Sequence, residues 1–254
     1  MDIKIDVYDT GEYNPLLQAK LADAVKELDL GKPYSDMIRL RVSGKAAAQC
    51  RDIYYIATDN GGELVSRLWM GWGRHKGAVG NWGNFFTEPE LRGRGIGKSM
   101  LKFWIEDVKN RDDAPLALFC TAGKDHLAEL YRPYGWRPAI KGTTCGPLYC
   151  PLGNSPESFE QFRDEYYKPA RELIFKPASL EWRHEIDCLF KFAMLTLGQD
   201  YLPRGVESLE KALLDRDESV RIIFTDTGIP VGLSKTQQDG QKDIRIYPTY
   251  LHLI

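Results

Sequence analysis

The sequence has no apolar run that approaches the length of a membrane span, and it has no large excess of either charge. Its 34 basic and 36 acidic residues are mixed along the chain and give a formal net charge of -2. A nucleic-acid-binding protein would be expected to concentrate its basic residues on one face. These absences argue against a membrane protein and against a nucleic-acid partner.

A secretory signal and a cysteine framework are also missing. Asp2 and Asp6 stand where a signal peptide would carry basic residues. We therefore expect a cytoplasmic protein. The cysteines are odd in number and lack the paired spacing of a metal site, so we expect buried, reduced thiols and no metal at Cys50, Cys120, Cys145, Cys150 and Cys188.

The sequence does have a glycine-rich run at residues 92–97, between a predicted strand at residues 83–87 and a predicted amphipathic helix at residues 98–109. Glycines let the backbone come close to a ligand, and the first turn of a helix has unpaired N–H groups. Such a junction binds anions, and we expect a pyrophosphate there.

Two other phosphate-binding loops match this run less well. A dinucleotide fold requires Gly-x-Gly-x-x-Gly, and Gly93, Gly95 and Gly97 have the wrong spacing for it. A nucleotide triphosphatase loop ends in Gly-Lys-Ser/Thr, which residues 97–99 provide, but Arg92 occupies the position of its first glycine.

Two motifs in this order resemble those of the GNAT acyltransferase superfamily. Residues 87–97 are similar to its CoA-binding signature, Arg/Gln-x-x-Gly-x-Gly/Ala, at Arg92, Gly95 and Gly97. Residues 130–136 resemble its Leu-Tyr-x-x-x-Gly-Phe signature, with Trp136 in the place of Phe. The resemblance covers roughly the first half to two-thirds of the chain. It implies an α+β protein with the GNAT fold, in which helices flank a central mixed, mostly antiparallel sheet.

Hydrophobic periodicity and turn residues predict the element order β-α-α-β-β-β-α-β-α-β-β, which the GNAT resemblance also implies. A turn at residues 60–62 predicts a hairpin between strands at residues 53–57 and 64–72. A helix that begins at Pro15 is predicted to turn its apolar face through Leu17, Leu21, Ala24 and Leu28.

Composition divides the chain into three predicted segments. Residues 1–153 would form the GNAT acyltransferase domain, and residues 154–168 a linker with little core material. Residues 169–254 are predicted to repeat the order β-α-α-β-β-β and to end in a strand at residues 244–253. We interpret them as a GNAT-like half domain without a CoA loop, and an unrelated α+β extension is the alternative.

The resemblance implies a set of residues that bind acetyl-CoA, the expected cosubstrate. The glycine-rich loop would hold the pyrophosphate through the backbone and positive charges of Arg92, Gly93, Arg94, Gly95, Ile96, Gly97 and Lys98. Backbone amides at Phe85, Phe86 and Thr87 would meet the thioester. Lys124 stands where the family often has an Asn that holds the pantetheine arm, and it would meet a CoA phosphate or nothing.

Tyr131 matches the family's general acid, which protonates the departing CoA thiolate. A phenol suits this step because its ordinary pKa, about 10, is close to that of an alkyl thiol. The general base is harder to assign, because residues 78–87 contain no carboxylate and no histidine. Glu88 is our candidate, and His75, the pair Asp125-His126 and a chain of water molecules stay open.

The acceptor is expected against the second to fourth strands, where aromatic residues are concentrated at Trp69, Trp72, Trp82, Tyr54 and Tyr55. We predict an N-acyltransferase that moves an acetyl group from acetyl-CoA to a primary amine of a small molecule or peptide, by direct attack in a ternary complex. One alternative is a degenerate GNAT domain that binds CoA or a partner without turnover. A less favoured one is a nucleotide-binding enzyme. Whether the protein forms a homodimer is left open.

Overall fold

The computed structural model describes residues 2–12, 14–26, 34–198, 204–215 and 217–254. Within them, the first part of the chain forms a sheet from β1 (Lys4–Asp9), β2 (Cys50–Thr58), β3 (Leu64–Gly73), β4 (Gly80–Thr87), β5 (Ala117–Ala122), β6 (Arg137–Pro138) and β7 (Gly146–Pro151). The strands lie in the order β1-β2-β3-β4-β5-β7-β6. Neighbours pair antiparallel except for β4 and β5, which pair parallel. The predicted mixed, mostly antiparallel sheet is confirmed.

The helices of this part also follow the predicted order. The turn at residues 60–62 joins β2 to β3 as expected. Leu28, which was predicted to continue the first helix, lies outside the described residues. The helices are α1 (Pro15–Lys26), α2 (Tyr34–Val42), α3 (Ile96–Lys109) and α4 (Asp125–Tyr131).

The two faces of this sheet carry different layers, because successive side chains of a strand point to opposite faces. On the α3 face, α3 and α4 pack on the sheet, and the fully buried Trp104 lies 5.6 Å from the ring of Trp82. On the opposite face, α1 and α2 cover the first strands, with Leu21 packed near Tyr54 and Trp69. The rest of the opposite face is covered by the second half of the chain.

Strands β4 and β5 pair only at their first residues and then part. Their register contains the pairs Gly80–Leu118 and Asn81–Phe119. We call the point beyond Asn81 the strand fork. Close to it, β4 has one extra residue relative to β3, and Asn84 adopts a left-handed φ of 50°. A bulge of this kind bends the strand and takes a residue out of the hydrogen-bond ladder.

The second half of the chain forms a separate antiparallel sheet. Its strands are β8 (Leu173–Pro177), β9 (Val220–Thr225), β10 (Pro230–Thr236) and β11 (Lys242–Ile246), in the order β11-β10-β9-β8. The predicted final strand at residues 244–253 is wrong in its second half. Pro248 lacks an N–H donor, and a 3-10 helix occupies Pro248–Leu253.

Helical segments connect these strands. Between β8 and β9 lie α6 (Arg183–Cys188), a π-helical turn at Leu189–Ala193, α7 (Met194–Thr196) and α8 (Arg204–Asp215). The order is strand, helices and three strands, paired in chain order as in β1 to β4. That this half derives from a GNAT-like repeat stays a prediction.

Residues 154–168 contain more core material than predicted. They include α5 (Phe159–Tyr166), whose first amides are capped by Ser158. Phe159 and Phe162 are buried. The ring centre of Phe159 lies 5.5 Å from that of Phe119, and the ring centre of Phe162 lies 5.4 Å from that of Tyr149. The prediction of a core-poor stretch is therefore wrong, because helical spacing places these rings on one face. The domain boundaries at residues 153 and 168 stay predictions.

No helix among the described residues has the length and apolar character needed to cross a membrane. In the same parts of the chain, no group of three or more His, Cys, Asp or Glu side chains is arranged to hold a metal ion. The cysteines are free thiols, and Cys145 is the one that is only partly buried.

Candidate active site

A cleft of about 840 Å³ lies beyond the strand fork, between the end of β4, the glycine-rich loop and α4. Of the predicted CoA-binding residues together with Tyr131 and Glu88, all but two line it: Phe85, Phe86, Thr87, Arg92, Gly93, Gly95, Ile96, Gly97, Lys98, Lys124 and Tyr131. The exceptions are Arg94, which is exposed, and Glu88, which lies just past the end of β4. The tertiary structure thus brings two distant motifs to one cavity.

Helix α4 contributes two further residues to the wall of the cleft, which were not predicted from the sequence. Leu127 and Leu130 line the cleft beside Tyr131. The missed signal was helical spacing, since residues three and four positions apart share a face of the helix.

The glycine-rich loop holds a backbone shape that other residues rarely adopt. Gly93 and Gly95 have φ values of 78° and 84°, which is the left-handed region that favours glycine. Gly95 is also the residue that caps α3, and it offers no side chain to accept from the first amides of the helix. Those amides are therefore available to an anion, and the first turn carries no acidic residue that would repel it.

Gly97 is needed for a close approach. A Cβ at this position would lie 3.2 Å from the Cζ atom of Phe85. The ring of Phe85 thus packs directly on the backbone of α3 at the base of the cleft. Any larger side chain at Gly97 would displace this ring or fill the cleft.

Arg92 is held in place by the end of β4. Its Nε donates a hydrogen bond of 3.0 Å to the carbonyl oxygen of Thr87, and its guanidinium lies 5.6 Å from the centre of the Phe86 ring. Lys98 and Lys124 line the same cleft and are exposed. The cavity therefore has a basic rim, which suits a ligand that carries phosphates.

Tyr131 is only 6% exposed and stands on the α3 face. Its ring meets Trp82 edge-on at 5.0 Å and lies 6.0 Å from Phe85. Burial, with a smaller contribution from Cys120, raises the pKa of Tyr131 above the ordinary phenol value. The phenol therefore keeps its proton at neutral pH.

The candidate bases are dispersed. His75 is not part of the cleft, because its ring stacks on Trp182 at 3.9 Å and its Nε2 lies 2.9 Å from Glu185 Oε1. His126 lines the cleft, whereas the adjacent Asp125 is exposed and accepts a hydrogen bond from Thr144 Oγ1. Glu88 as a base stays a prediction.

The aromatic residues predicted to form one acceptor wall lie on two faces. Trp72, Trp82 and Tyr55 belong to the core on the α3 face. Trp69 and Tyr54 lie on the opposite face. The prediction that the five rings crowd together is wrong, because neighbouring strand positions point in opposite directions. Trp69 and Tyr54 are both buried there in a second core cluster.

A family model described as an acetyltransferase (GNAT) domain matches residues 50–138. This range begins at β2 and ends at β6, so it contains the strand fork, the glycine-rich loop and Tyr131. No curated protein matches the chain.

Solved structures similar to this chain include several GNAT proteins. A GNAT acetyltransferase from Staphylococcus aureus Mu50 is 14% identical, and the match covers 59% of this chain and 100% of that chain with a TM-score of 0.43. An acyl-CoA N-acyltransferase from Pseudomonas aeruginosa is 15% identical, with 59% and 99% covered and a TM-score of 0.44. Escherichia coli ElaA is 19% identical, with 59% and 99% covered and a TM-score of 0.42.

Proposed function

We propose that this protein transfers an acetyl group from acetyl-CoA to a primary amine, because residues 50–138 match the acetyltransferase (GNAT) domain model. The GNAT-type fold supports N-acyl transfer in general. The finer proposal is an acetyl donor, a small-molecule or peptide amine as acceptor, and direct transfer in a ternary complex.

The observation that carries this proposal is the cleft beyond the strand fork. One cavity combines the uncapped first amides of α3 with the protonated phenol of Tyr131. Transfer from a CoA thioester needs both features, since the pyrophosphate must be bound and the leaving thiolate must receive a proton. The basic rim of Arg92, Lys98 and Lys124 supports a ligand that carries phosphates.

Each part of the cleft has a chemical task. Gly93 and Gly95 keep the loop in a shape that turns its backbone toward the pyrophosphate. Backbone amides at the end of β4 orient the thioester carbonyl for attack by the amine. Tyr131 donates its proton to the sulfur as the C–S bond breaks. Acetyl-CoA, when bound, supplies the activated acyl group.

Direct transfer fits the state of the Cys120 thiol. Cys120 is close enough to Tyr131 to affect its pKa, and it is buried. Burial raises the pKa of Cys120 well above the ordinary thiol value, with a further contribution from Cys150. A thiol that keeps its proton is a poor nucleophile, so an acyl-cysteine intermediate is disfavoured.

Calorimetric titration with acetyl-CoA tests the binding part of the proposal. We expect the full chain to bind, and Gly97→Val to bind at least about tenfold more weakly because the new side chain meets Phe85 and enters the cleft. The matched control is Gly61→Val, in the hairpin turn between β2 and β3. If Gly97→Val keeps the affinity of the wild type, the cleft is not the CoA site.

Turnover is measured as release of the CoA thiol in the presence of polyamines, free amino acids and peptides with a free amino terminus. Acetylation of one of these amines supports the proposal. The second candidate, a domain that binds CoA without turnover, is favoured by the absence of a carboxylate on β4. Binding without acetylation of any amine would select it. Thermal stabilisation by ATP but not by acetyl-CoA would select a nucleotide-binding enzyme.

A further inference from the structure

Two adjacent residues of β4 hold different groups on the two faces of the sheet. Asn81 forms the last pair between β4 and β5 before the strand fork, and Trp82 comes directly after it. Trp82 points to the α3 face, where its ring contacts Tyr131 at 5.0 Å. Asn81 points to the opposite face, where α6 packs against β3 and β4. Tyr131 and α6 therefore flank the same point of the sheet.

His184 of α6 is fully buried against Asn81. Its Nδ1 lies 2.8 Å from Asn81 Oδ1, and Asn81 Nδ2 donates a hydrogen bond of 3.0 Å to Asp187 Oδ2. Lys191 forms an ion pair with the other oxygen of Asp187 at 2.7 Å. The chain Asp187–Asn81–His184 thus connects a carboxylate to an imidazole through one amide.

This chain determines which ring nitrogen of His184 carries the proton. An ionised carboxylate only accepts, so the amide nitrogen of Asn81 must face Asp187 and its oxygen must face His184. That oxygen also only accepts, so His184 Nδ1 must donate. Nη1 of Arg183 lies 3.5 Å from Nδ1, which is too long to compete. His184 Nε2 therefore presents a lone pair.

No described residue forms a hydrogen bond with Nε2 of His184, although the atom is buried. An unpaired buried polar atom is costly, and its retention calls for an explanation. Burial, and then the positive charges of Arg183, Arg41 and His75, lower the pKa of His184 well below its ordinary value. The ring is thus a neutral proton acceptor.

Open space lies further along β4 on the same face, at the fork. Gly83 lies two residues beyond Asn81, so it faces the same side of the sheet, and a Cβ on it would meet no atom within 4 Å. Trp69 pairs with Gly83 across the ladder, and its ring lies 6.0 Å from that of His184. The Trp69 ring therefore stands near both the open space at Gly83 and the His184 ring.

We propose that His184 is the general base that accepts the proton of the acceptor amine. The proposal rests on the proposed acyltransferase function. The amine enters from the opposite face over Gly83 and its nitrogen lone pair bonds to the acyl carbon. His184 Nε2 takes the N–H proton, the C–S bond breaks, and the thiolate takes the proton of Tyr131. The products are the amide and CoA, and both side chains then exchange protons with water to regain their starting states.

The neutral ring suits this step although it is a weak base. Once the amine nitrogen has bonded to the acyl carbon, it carries a positive charge and its proton is strongly acidic. A base of lowered pKa accepts such a proton and releases it readily to water. The base and the acid act from opposite faces of one strand, so neither obstructs the other.

The test uses the full chain and the amine that the wild type acetylates fastest in the panel of polyamines, amino acids and peptides. His184→Gln can still donate to Asn81 but lacks the basic nitrogen. We expect kcat to fall about one hundred to ten thousand fold while the calorimetric Kd for acetyl-CoA is unchanged. Ile186→Val on the same helix is the packing control, and it should keep kcat with a small drop in the thermal midpoint.

Asn81→Ser tests the chain that orients the ring without removing the ring. We expect a smaller loss of kcat at unchanged acetyl-CoA affinity. NMR of isotopically labelled histidine gives a readout that a purely structural role would not move. The chain has 4 histidines, and His184→Gln assigns the signal. We expect a neutral ring with the proton on Nδ1 in the wild type and a mixture of tautomers in Asn81→Ser.

The results distinguish a failure of the base assignment from a failure of the proposed acyltransferase function. If the wild type acetylates an amine and His184→Gln keeps its kcat, the base assignment is overturned and the acyltransferase function stands. A proton on Nε2 of His184 overturns the assignment in the same way. If the wild type acetylates no amine of the panel, the proposed function fails and this proposal fails with it.

Discussion

Strands β1 to β4 of the first sheet and the four strands of the second sheet pair in chain order, but the two sheets differ in the segment that continues from the fourth strand. In the first sheet, β4 runs into the glycine-rich loop and α3. In the second, β11 ends at Ile246, and Pro248–Leu253 forms a 3-10 helix. Only the first junction supplies left-handed glycines and an uncapped helix of sufficient length for an anion. An anion site thus depends on the strand-to-helix junction and not on the sheet.

The second half of the chain covers one face of the first sheet. Its connecting helices cover the opposite face of the first sheet, where Phe192 contacts Phe119 at 5.0 Å and His184 contacts Asn81. The first half therefore binds the ligand, in our proposal, and the second half completes the acceptor side. We expect one CoA site per chain.

Removing the second half should have the largest effect. A chain that ends at Gly153 lacks His184 and exposes Phe119 and Tyr149, which are fully buried in the whole protein. We expect complete loss of amine acetylation and a tendency to aggregate. Thiol-release assays and light scattering measure both. A monodisperse shortened chain with full activity would contradict the shared acceptor site.

Tyr131→Phe should have the next largest effect. The substitution removes the proton donor and keeps the ring that packs on Trp82. We expect kcat to fall about one hundred to ten thousand fold with unchanged affinity for acetyl-CoA. Steady-state kinetics and calorimetry separate the two quantities. Unchanged turnover would reduce Tyr131 to a packing residue.

A matched pair of glycine substitutions compares the two sheets directly. Gly95 and Gly228 have φ values of 84° and 86°, and a Cβ on either would meet no atom within 4 Å. Valine should therefore cost each site a similar backbone strain, about 1–2 kcal/mol. Only Gly95→Val should weaken acetyl-CoA binding, by about tenfold or more. Equal losses of affinity in both variants would show that general destabilisation, and not the loop, is responsible.

The smallest expected effect is a difference in acetyl-CoA affinity between alanine variants of two arginines in the loop. Arg92 lines the cleft and is anchored to Thr87, whereas Arg94 is exposed and lies outside the cleft lining. We expect Arg92→Ala to raise the Kd for acetyl-CoA by about tenfold and Arg94→Ala to change it by less than about threefold. The reverse order, measured by calorimetry, would mean that the loop rearranges on binding.

Local patterns in the sequence predicted the parts of the site that are close together along the chain. The hairpin of β2 and β3, the glycine-rich junction and the position of Tyr131 on α4 are consequences of turn residues and helical spacing. The core content of residues 154–168 was predicted wrongly, because the prediction relied on their polar composition. Phe159 and Phe162 stand at a helical interval within this segment and are buried. Composition was a weaker guide there than periodicity.

The division of the aromatic rings and the position of His184 could not be predicted in the same way. Trp69 and Trp72 are close in sequence, yet they lie on opposite faces, and the register of the whole sheet decides which. Asn81 and His184 are far apart in sequence and meet only because α6 packs on β4. Nothing within either segment indicates the contact.

By itself, the sequence determined the order of elements, the left-handed glycines and the first turn of α3, because these depend on interactions between near neighbours along the chain. The tertiary structure alone decided that β4 and β5 part beyond Asn81, and that the second half of the chain covers the face opposite Tyr131. Both depend on packing between segments that are distant along the chain, where burial of apolar surface outweighs local preference.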